Sequence, residues 1–285
     1  MTPAPIDEIV LERDGGVVRL NLNRPDKLNA QTVAMWHYLA RLGAQLTADD
    51  TIRVLVVGGL GRSFSAGIDI TAFTSAAADD QPPDAPPPDL DIAATAPDRS
   101  DSSPVDGILA IQKAFSWLED APYPTIAKVQ GHAFGAGMQL ALACDLRIVA
   151  DDVRMGLLEL NWGLMPDLGG TVWLPRLVGP AKALELMLTG AKIEAPELLA
   201  LGVVNRVVPG ADLDKTVDDL VDELLRRPPL ALRGAKAAVQ GGWGETTAVG
   251  MRAAAVAQLA CLRSGDFVEA GRAFVEGREP RFEGR

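Results

Sequence analysis

The chain of 285 residues is poor in the side chains that build disulfide frameworks and metal centres, because it has only two cysteines and two histidines. Two cysteines cannot form a disulfide framework, so a cytoplasmic location is expected. Cys144 and Cys261 follow apolar, alanine-rich stretches and are predicted to be small core residues. His37 and His132 have no neighbours at metal-ligand spacing, which predicts packing or hydrogen-bonding roles and no metal site.

Long apolar runs and nucleotide-binding glycine motifs are also absent. No stretch approaches ~18 uninterrupted apolar residues, so no membrane span is predicted. Asp7 and Glu8 stand where a signal peptide would carry cations, which predicts no signal sequence. The motifs GxxxxGK[ST], GxGxxG and GxSxG are missing, which argues against a P-loop, a dinucleotide-binding turn and a hydrolase nucleophile elbow.

Basic residues are fewer than acidic ones, 27 against 38, and the net charge of −11 argues against nucleic-acid and anionic-membrane partners. Much of the excess lies in residues 75–106, which hold eight aspartates, one arginine and seven of the 20 prolines. This segment is predicted to be a mobile insertion, either a solvated loop or an active-site flap. The rest of the chain has a net charge of only −4, which is compatible with binding of a phosphate-bearing ligand.

The hydrophobic pattern predicts an α/β body followed by helices. Two strand-like runs, 9–11 and 17–22, flank an Asp-Gly turn and predict a hairpin. Apolar residues at helical spacing predict a helix over 31–46, and further segments read as strands (52–57, 125–129, 146–150) and helices (108–118, 138–143). Residues 1–205 are predicted to form the core and 206–285 a helical region for oligomerisation.

Two glycine-rich turns each follow a predicted strand. Residues 63–69 read SFSAGID, and residues 131–137 read GHAFGAG and lead into a helix. Small residues let a ligand approach the backbone, and the N–H groups at a helix N-terminus have no partner within the helix. The two turns together are suited to form an oxyanion hole, although glycine turns after strands are also common in proteins without such a site.

Two acids stand eight residues apart in an otherwise apolar stretch, residues 159–167. A carboxylate among Trp162, Leu164 and Met165 is expected to be poorly solvated, which raises its pKa towards values useful for proton transfer. Glu159 and Asp167 are therefore candidate general acids and bases. The alternative for Asp167 is that it caps the helix predicted after it.

Five short motifs occur in order along the chain and together resemble the crotonase superfamily, the enoyl-CoA hydratase/isomerase family. They are RPDKLNA (24–30), FSAGID (64–69), GHAFGAG (131–137), ACD (143–145) and LTG (188–190). The resemblance covers nearly the whole chain except residues 75–106. It implies an α/β fold, a spiral of ββα units with a C-terminal helical region, assembled as a homotrimer or a dimer of trimers.

The resemblance also implies a substrate and a set of binding residues. The substrate is an acyl-CoA thioester, so coenzyme A belongs to the substrate and no separate cofactor is expected. By motif position, the backbone N–H groups of Ala66 and Ala136 would bind the thioester oxygen. The residues expected to contact substrate or coenzyme A are Arg24, Lys27, Arg62, Ser65, Gly67, Ile68, Asp69 and Gly135, with Arg278 of a neighbouring subunit as a further phosphate ligand.

The acidic residues depart from the pattern of the typical hydratases, which carry two glutamates. Glu159 stands at the second position, but Gln139 occupies the first. Asp167 resembles an acid of dienoyl-CoA isomerases and of 3-hydroxyacyl-CoA hydrolases. The resemblance therefore implies an enzyme acting on the double bond of an enoyl-CoA, with isomerisation slightly favoured over hydration. The alternatives are a 3-hydroxyacyl-CoA hydrolase and a non-catalytic acyl-CoA-binding subunit.

Overall fold

Two β-sheets and a set of helices form the structure, a computed structural model that describes residues 4–70 and 104–285. The strands are β1 (Ile9–Asp14), β2 (Val17–Leu22), β3 (Val54–Gly59), β4 (Thr125–Val129), β5 (His132–Phe134), β6 (Leu146–Ala150), β7 (Arg154–Gly156), β8 (Ile193–Glu194) and β9 (Arg206–Val208). One sheet has the order β1-β2-β3-β4-β6-β9, and the other β5-β7-β8.

Ten α-helices surround the sheets in the described ranges. They are α1 (Val33–Ala48), α2 (Pro104–Asp120), α3 (Ala136–Ala143), α4 (Gly170–Val178), α5 (Pro180–Thr189), α6 (Ala195–Ala200), α7 (Leu213–Leu225), α8 (Pro229–Gly242), α9 (Thr247–Leu262) and α10 (Gly265–Glu276). Short 3-10 helices cover Pro25–Lys27, Glu159–Trp162 and Gly210–Asp212. None of the helices described is long and apolar enough to cross a membrane.

Successive ββα turns generate the spiral. After the hairpin of β1 and β2, in which Asp14 pairs with Val17, the strands of the large sheet run parallel. The chain passes from β4 in the large sheet to β5 in the small sheet and then into α3. The next turn repeats this path through β6, β7 and α4. The predicted α/β spiral is therefore confirmed.

Both faces of the large sheet are covered by helices. On one face α1 and α2 pack together, with the rings of Trp36 and Phe115 in edge contact at 6.0 Å between centroids. On the other face α7 presents its buried apolar residues to the sheet. The contacting side chains are Leu213, Val217, Leu220 and Val221 from α7 and Val17, Val54, Val56, Ile126 and Ile148 from the strands.

The predicted boundary between core and C-terminal region after residue 205 is wrong. β9 pairs in parallel with β6, and α7 packs onto the same sheet, so the core continues through Leu225. The helices that lie outside this core are α8, α9 and α10. α8 and α9 cross closely at Gly234, where an added Cβ would lie 3.2 Å from the Cβ of Ala257.

Other local predictions can be compared directly with the structure. The helix predicted over 31–46 is α1, and the strands 125–129 and 146–150 are confirmed. The insertion predicted over 75–106 lies outside the described residues except at its end, where Pro104 already begins α2. Cys144 is a core residue whose burial raises the pKa of the thiol to about 12, whereas Cys261 is only half-buried.

Candidate active site

The two glycine-rich loops lie side by side because they pair like parallel strands. The N–H of Ser65 donates to the carbonyl of His132 at 2.9 Å, and the N–H of Phe134 donates to the carbonyl of Ser65 at 3.0 Å. This pairing places Gly67 beside the start of α3. A Cβ added to Gly67 would lie 2.8 Å from the carbonyl oxygen of Phe134 and 3.7 Å from the nitrogen of Ala136.

The structure corrects one of the two predicted oxyanion donors. The N–H of Ala66 donates to the carbonyl of Leu28 at 2.8 Å, so it is occupied inside the protein. The next non-glycine residue in the loop is Ile68, which forms a parallel bridge with Gln31. The N–H groups of Gln31 and of Asp69 make that bridge, and the N–H of Ile68 has no partner in residues 4–70 and 104–285.

The second predicted donor, Ala136, is the first residue of α3. Gly135 precedes it with φ +50° and ψ −122°, a backbone conformation that a residue with a Cβ adopts poorly. Ala136 itself has no positive φ, so its Cβ is tolerated. Its N–H, like that of Ile68, has no partner among the described residues. The fold thus brings two unpaired N–H groups to adjacent positions.

The side chain of Ser65 is hydrogen-bonded inside the protein, and its contact with substrate stays a prediction. It is fully buried, and its Oγ donates to the carbonyl of Asn29 at 2.8 Å and accepts from Gln31 Nε2 at 3.0 Å. Asn29 is equally buried and its Nδ2 donates to the carbonyls of Leu60 and Ser63. These buried polar side chains fix the loop of residues 63–69 by hydrogen bonds on its protein-facing side, a role that sequence reasoning missed.

Arg24 and Asp69 balance each other's charge within the protein. Arg24 Nη1 lies 2.8 Å from Asp69 Oδ2 and donates to the carbonyl of Ala30 at 2.6 Å. This ion pair joins the first motif to the loop of residues 63–69. The structure therefore shows a structural contact for both residues, and their predicted contact with substrate stays a prediction.

Lys27 and Arg62 lie at one exposed corner of the molecule. The two loops that carry them meet where Pro25 packs on Gly61, and both side chains are exposed. Arg278 differs, because its guanidinium is held by Glu269 and Glu276, each at 2.6 Å. Lys27 and Arg62 are therefore the better candidates for a phosphate group.

Glu159 begins a 3-10 helix after β7 and reaches the start of α3. Its Oε1 accepts a hydrogen bond from Gln139 Nε2 at 2.7 Å, and a Cβ added to Gly135 would lie 3.2 Å from the same oxygen. Its Oε2 is buried and has no hydrogen-bond partner among the described residues. A buried carboxylate oxygen without a partner is costly, so the position is suited to an exchangeable proton or a polar ligand group.

The pKa values of both acids are raised. For Glu159 the main cause is burial, and the charge of Asp167 adds to it, whereas hydrogen bonds from its own backbone and from the Gln139 amide oppose it. For Asp167 the cause is burial. The expected reason was wrong, however, because Trp162, Leu164 and Met165 are exposed. Gln139 and Gly135, at the start of α3, lie next to the Glu159 carboxyl group.

Asp167 does not cap α4. Gly169 is the N-cap residue, no side chain caps it, and the N–H of Gly170 donates to Gln139 Oε1 at 2.9 Å. Asp167 is instead held through its backbone carbonyl, which accepts from Gln112 Nε2 at 2.8 Å. The negative charge of Asp167 contributes to the raised pKa of Glu159. No cluster of three metal-ligating side chains occurs in the two described ranges.

The described residues thus combine two backbone N–H groups that have no partner, those of Ile68 and Ala136, with a half-buried carboxyl group, that of Glu159. The family model for enoyl-CoA hydratase/isomerase matches residues 12–86 and 104–285. The chain belongs to the enoyl-CoA hydratase/isomerase family, as the motifs predicted. It is an enzyme family acting on acyl-CoA thioesters.

Relatives and solved structures agree with this assignment. The chain is 32% identical to human enoyl-CoA hydratase domain-containing protein 2, mitochondrial, over 95% of this chain and 87% of that protein. It is 31% identical to crotonyl-CoA hydratase of Syntrophomonas wolfei, over 97% of this chain and 98% of that protein. The structure of a provisionally assigned enoyl-CoA hydratase of Thermobifida fusca YX in complex with acetoacetyl-CoA superposes with a TM-score of 0.78. That protein is 40% identical to this chain, and the match covers 90% of this chain and 95% of that one.

Proposed function

We propose that the protein moves the double bond of an enoyl-CoA thioester by proton transfer. The observation that carries this proposal is that Oε2 of Glu159 and the N–H groups of Ile68 and Ala136 have no partner among the described residues. The two N–H groups would donate to the thioester oxygen. They would stabilise the negative charge that develops there when a neighbouring carbon loses a proton.

The two acids supply the proton transfer. Glu159 removes a proton from the carbon next to the thioester, and the electron pair of the broken C–H bond moves onto the thioester oxygen as an enolate. Asp167 returns a proton to the far end of the conjugated system, and the enolate electrons form the shifted double bond. No atom is gained or lost, so the product is an isomer. The raised pKa values of both acids suit this exchange.

Gln139 favours isomerisation over hydration. Hydration needs a group that accepts a proton from the attacking water, and an amide oxygen is a poor base. Both polar ends of the Gln139 amide are also occupied, by the N–H of Gly170 and by Glu159. The Thermobifida fusca relative, solved with acetoacetyl-CoA, supports a thioester ligand but does not distinguish the two reactions.

Product analysis tests the proposed reaction directly. The protein is incubated with 2-enoyl-, 3-enoyl- and 3,5-dienoyl-CoA, and the products are identified by mass and ultraviolet spectrum. The expected result is conversion of a 3-enoyl- or dienoyl-CoA without a mass change. Addition of the mass of water shows hydration, release of free coenzyme A from a 3-hydroxyacyl-CoA shows hydrolysis, and binding without turnover shows a non-catalytic subunit. Each of these three results would contradict the proposal.

The phosphates of coenzyme A are proposed to bind at the corner formed by Lys27 and Arg62. Arg62→Glu is expected to weaken binding of an acyl-CoA about tenfold, since an exposed attraction worth up to ~1 kcal/mol becomes a repulsion. Binding of the matching acyl-pantetheine, which lacks the 3′-phosphate, is expected to change less. Calorimetry measures both, with the exposed Arg41→Glu on α1 as the control. Equal weakening of both ligands by Arg62→Glu would exclude this placement.

The homotrimer or dimer of trimers is also proposed, and α9 supports it. This helix is apolar over most of its surface, none of its residues is buried, and Met251, Val256 and Leu259 are exposed. Val256→Asp is expected to shift the molar mass measured by light scattering to that of the monomer. Gln258→Glu adds a charge at another exposed position of the same helix and is the control. An unchanged mass for Val256→Asp would show that α9 does not form the contact.

A further inference from the structure

Gln139 lies between two parts of the site and is almost fully buried, at 1% exposure. Its Nε2 is 2.7 Å from Oε1 of Glu159, and its Oε1 is 2.9 Å from the backbone nitrogen of Gly170. The side chain starts on α3 and connects this helix to the first residue of α4 and to the 3-10 helix of Glu159. The Gln139 amide therefore uses its oxygen and one of its two N–H groups in hydrogen bonds within the described residues.

The backbone determines which way the amide points. The N–H of Gly170 can only donate, so the atom of Gln139 that faces it must be the oxygen. The amide nitrogen then faces Glu159, and a nitrogen of this kind only donates. Oε1 of Glu159 must accept from it whether the carboxyl group is charged or neutral. A proton on Glu159 is therefore directed to the other oxygen, Oε2, which has no partner in the described residues.

We propose that Gln139 is a positioning residue that holds Oε1 of Glu159 as an acceptor and thereby makes Oε2 the oxygen that carries the transferred proton. This inference rests on the proposed function, which it deepens. When the substrate C–H bond breaks, the proton moves to Oε2 and the electron pair to the thioester oxygen. The hydrogen bond from Gln139 persists through the step, because Oε1 does not change its role.

The same contact tunes the proton affinity of Glu159. A donor held against a carboxylate favours the charged form, whereas burial and the neighbouring charge of Asp167 favour the neutral form. The groups that act on Glu159 are its own backbone, the Gln139 amide from α3, the backbone of Gly170 through that amide, and the carboxyl of Asp167 from the loop before α4. Asp167 is the titratable one among them.

Gln139→Met tests the proposal, because it fills similar space without either hydrogen bond. Losing a hydrogen bond to a charged group is expected to raise the pKa of Glu159 by about one to two units. The pKa is measured by ¹³C NMR of protein labelled at the glutamate carboxyl carbons, with Glu159→Gln identifying the signal. The acid limb of the kcat/KM profile is expected to move to higher pH by the same amount. At pH above that limb, kcat is expected to fall about tenfold or more while the Kd of a non-reacting acyl-CoA stays the same.

Two further variants keep the test decisive. Gln130→Met removes an amide whose Nε2 donates to the carbonyls of Gly59 at 2.7 Å and Gly61 at 3.0 Å, so it controls for lost hydrogen bonds remote from Glu159. In Gln130→Met the pKa of Glu159 should stay unchanged. If Gln139→Met does not fold, Gln139→Glu still accepts from Gly170 and replaces the donor by a second acid. It should raise the Glu159 pKa further.

The proposal is overturned if Gln139→Met leaves both the NMR pKa and the acid limb where they are in the parent protein. Failure of the proposed function looks different. In that case the product analysis shows hydration, hydrolysis or no turnover, yet the NMR pKa of Glu159 still rises in Gln139→Met. The two failures are therefore distinguishable by a measurement that needs no activity.

Discussion

Replacement of Glu159 by glutamine is expected to reduce turnover by about 10²–10⁴-fold, the usual contribution of a positioned acid or base. The variant keeps the shape of the side chain and still accepts a hydrogen bond from Gln139 at its Oε1 position. It cannot take a proton from the substrate. Binding of a non-reacting acyl-CoA should therefore change little, so the loss should appear in kcat, measured with the thioester that the parent protein converts best.

A second carboxylate provides the matched control. Glu119 is half-buried on α2 and binds Trp173 Nε1 at 2.9 Å and Arg176 at 2.5 Å. Glu119→Gln is expected to lower the melting temperature slightly and leave kcat unchanged. If Glu159→Gln retains the turnover of the parent protein, the assignment of Glu159 as the base is wrong. Asp167→Asn should impair isomerisation as well.

The buried charge of Glu159 also affects stability in a pH-dependent way. Its pKa is higher in the folded protein than the 4.5 of an ordinary glutamate, so the folded state binds the proton more tightly than the unfolded state. Folding stability linked to this group therefore rises as the pH falls from above the folded pKa to below 4.5. At a pH above the folded pKa the charged group is destabilising, and Glu159→Gln should melt at a higher temperature than the parent protein. That difference should shrink at acidic pH.

Replacement of Gly67 by alanine is the second change with a large expected effect. Gly67 has φ +99°, and an added Cβ would lie 2.8 Å from the carbonyl oxygen of Phe134, a backbone atom that cannot move away alone. The methyl group would force apart the loops that carry the N–H groups of Ile68 and Ala136. Loss of one oxyanion donor typically reduces kcat by about 10²–10³-fold. A reduction of at least about 10²-fold is therefore expected.

A second glycine separates the steric effect from backbone strain. Gly202 also has a positive φ, +74°, but an added Cβ would meet no atom within 4 Å among the described residues. Gly202→Ala should lose stability similarly through strain and keep full turnover. Circular dichroism and kcat are measured for both variants. Turnover by Gly67→Ala at the level of Gly202→Ala would show that this loop does not form an oxyanion hole.

The predictable parts of the fold are those with local periodicity. α1 was predictable because Met35, Leu39, Leu42 and Leu46 recur at helical spacing, and all four are buried. The strands β5, β7 and β8 were not identified, because segments of two or three residues have no measurable alternation. β9 was assigned to the wrong region since its membership of the sheet depends on pairing with β6, more than 50 residues earlier.

The same distinction applies to the site. The motif 64–69 pointed to the correct loop, but not to the correct N–H within it. The N–H of Ala66 is occupied because it donates to the carbonyl of Leu28, a residue of another motif, whereas the N–H of Ile68 has no partner among the described residues. The apolar neighbours of Glu159 in the sequence were expected to desolvate it, yet they are exposed, and the side chain that contacts its carboxyl group is Gln139 of α3.

The sequence by itself determined the family, the α/β class and the kinds of groups available, because these depend on which residues are present and in what order. Only the tertiary structure decided which groups are free to act on a substrate. Gln139 meets Glu159 across 20 residues and Gly170 across 31, and Ser65 meets Asn29 across 36. Hydrogen-bond partners so distant in the chain are brought together by sheet pairing and helix packing, and a group is reactive only where that packing leaves it without a partner.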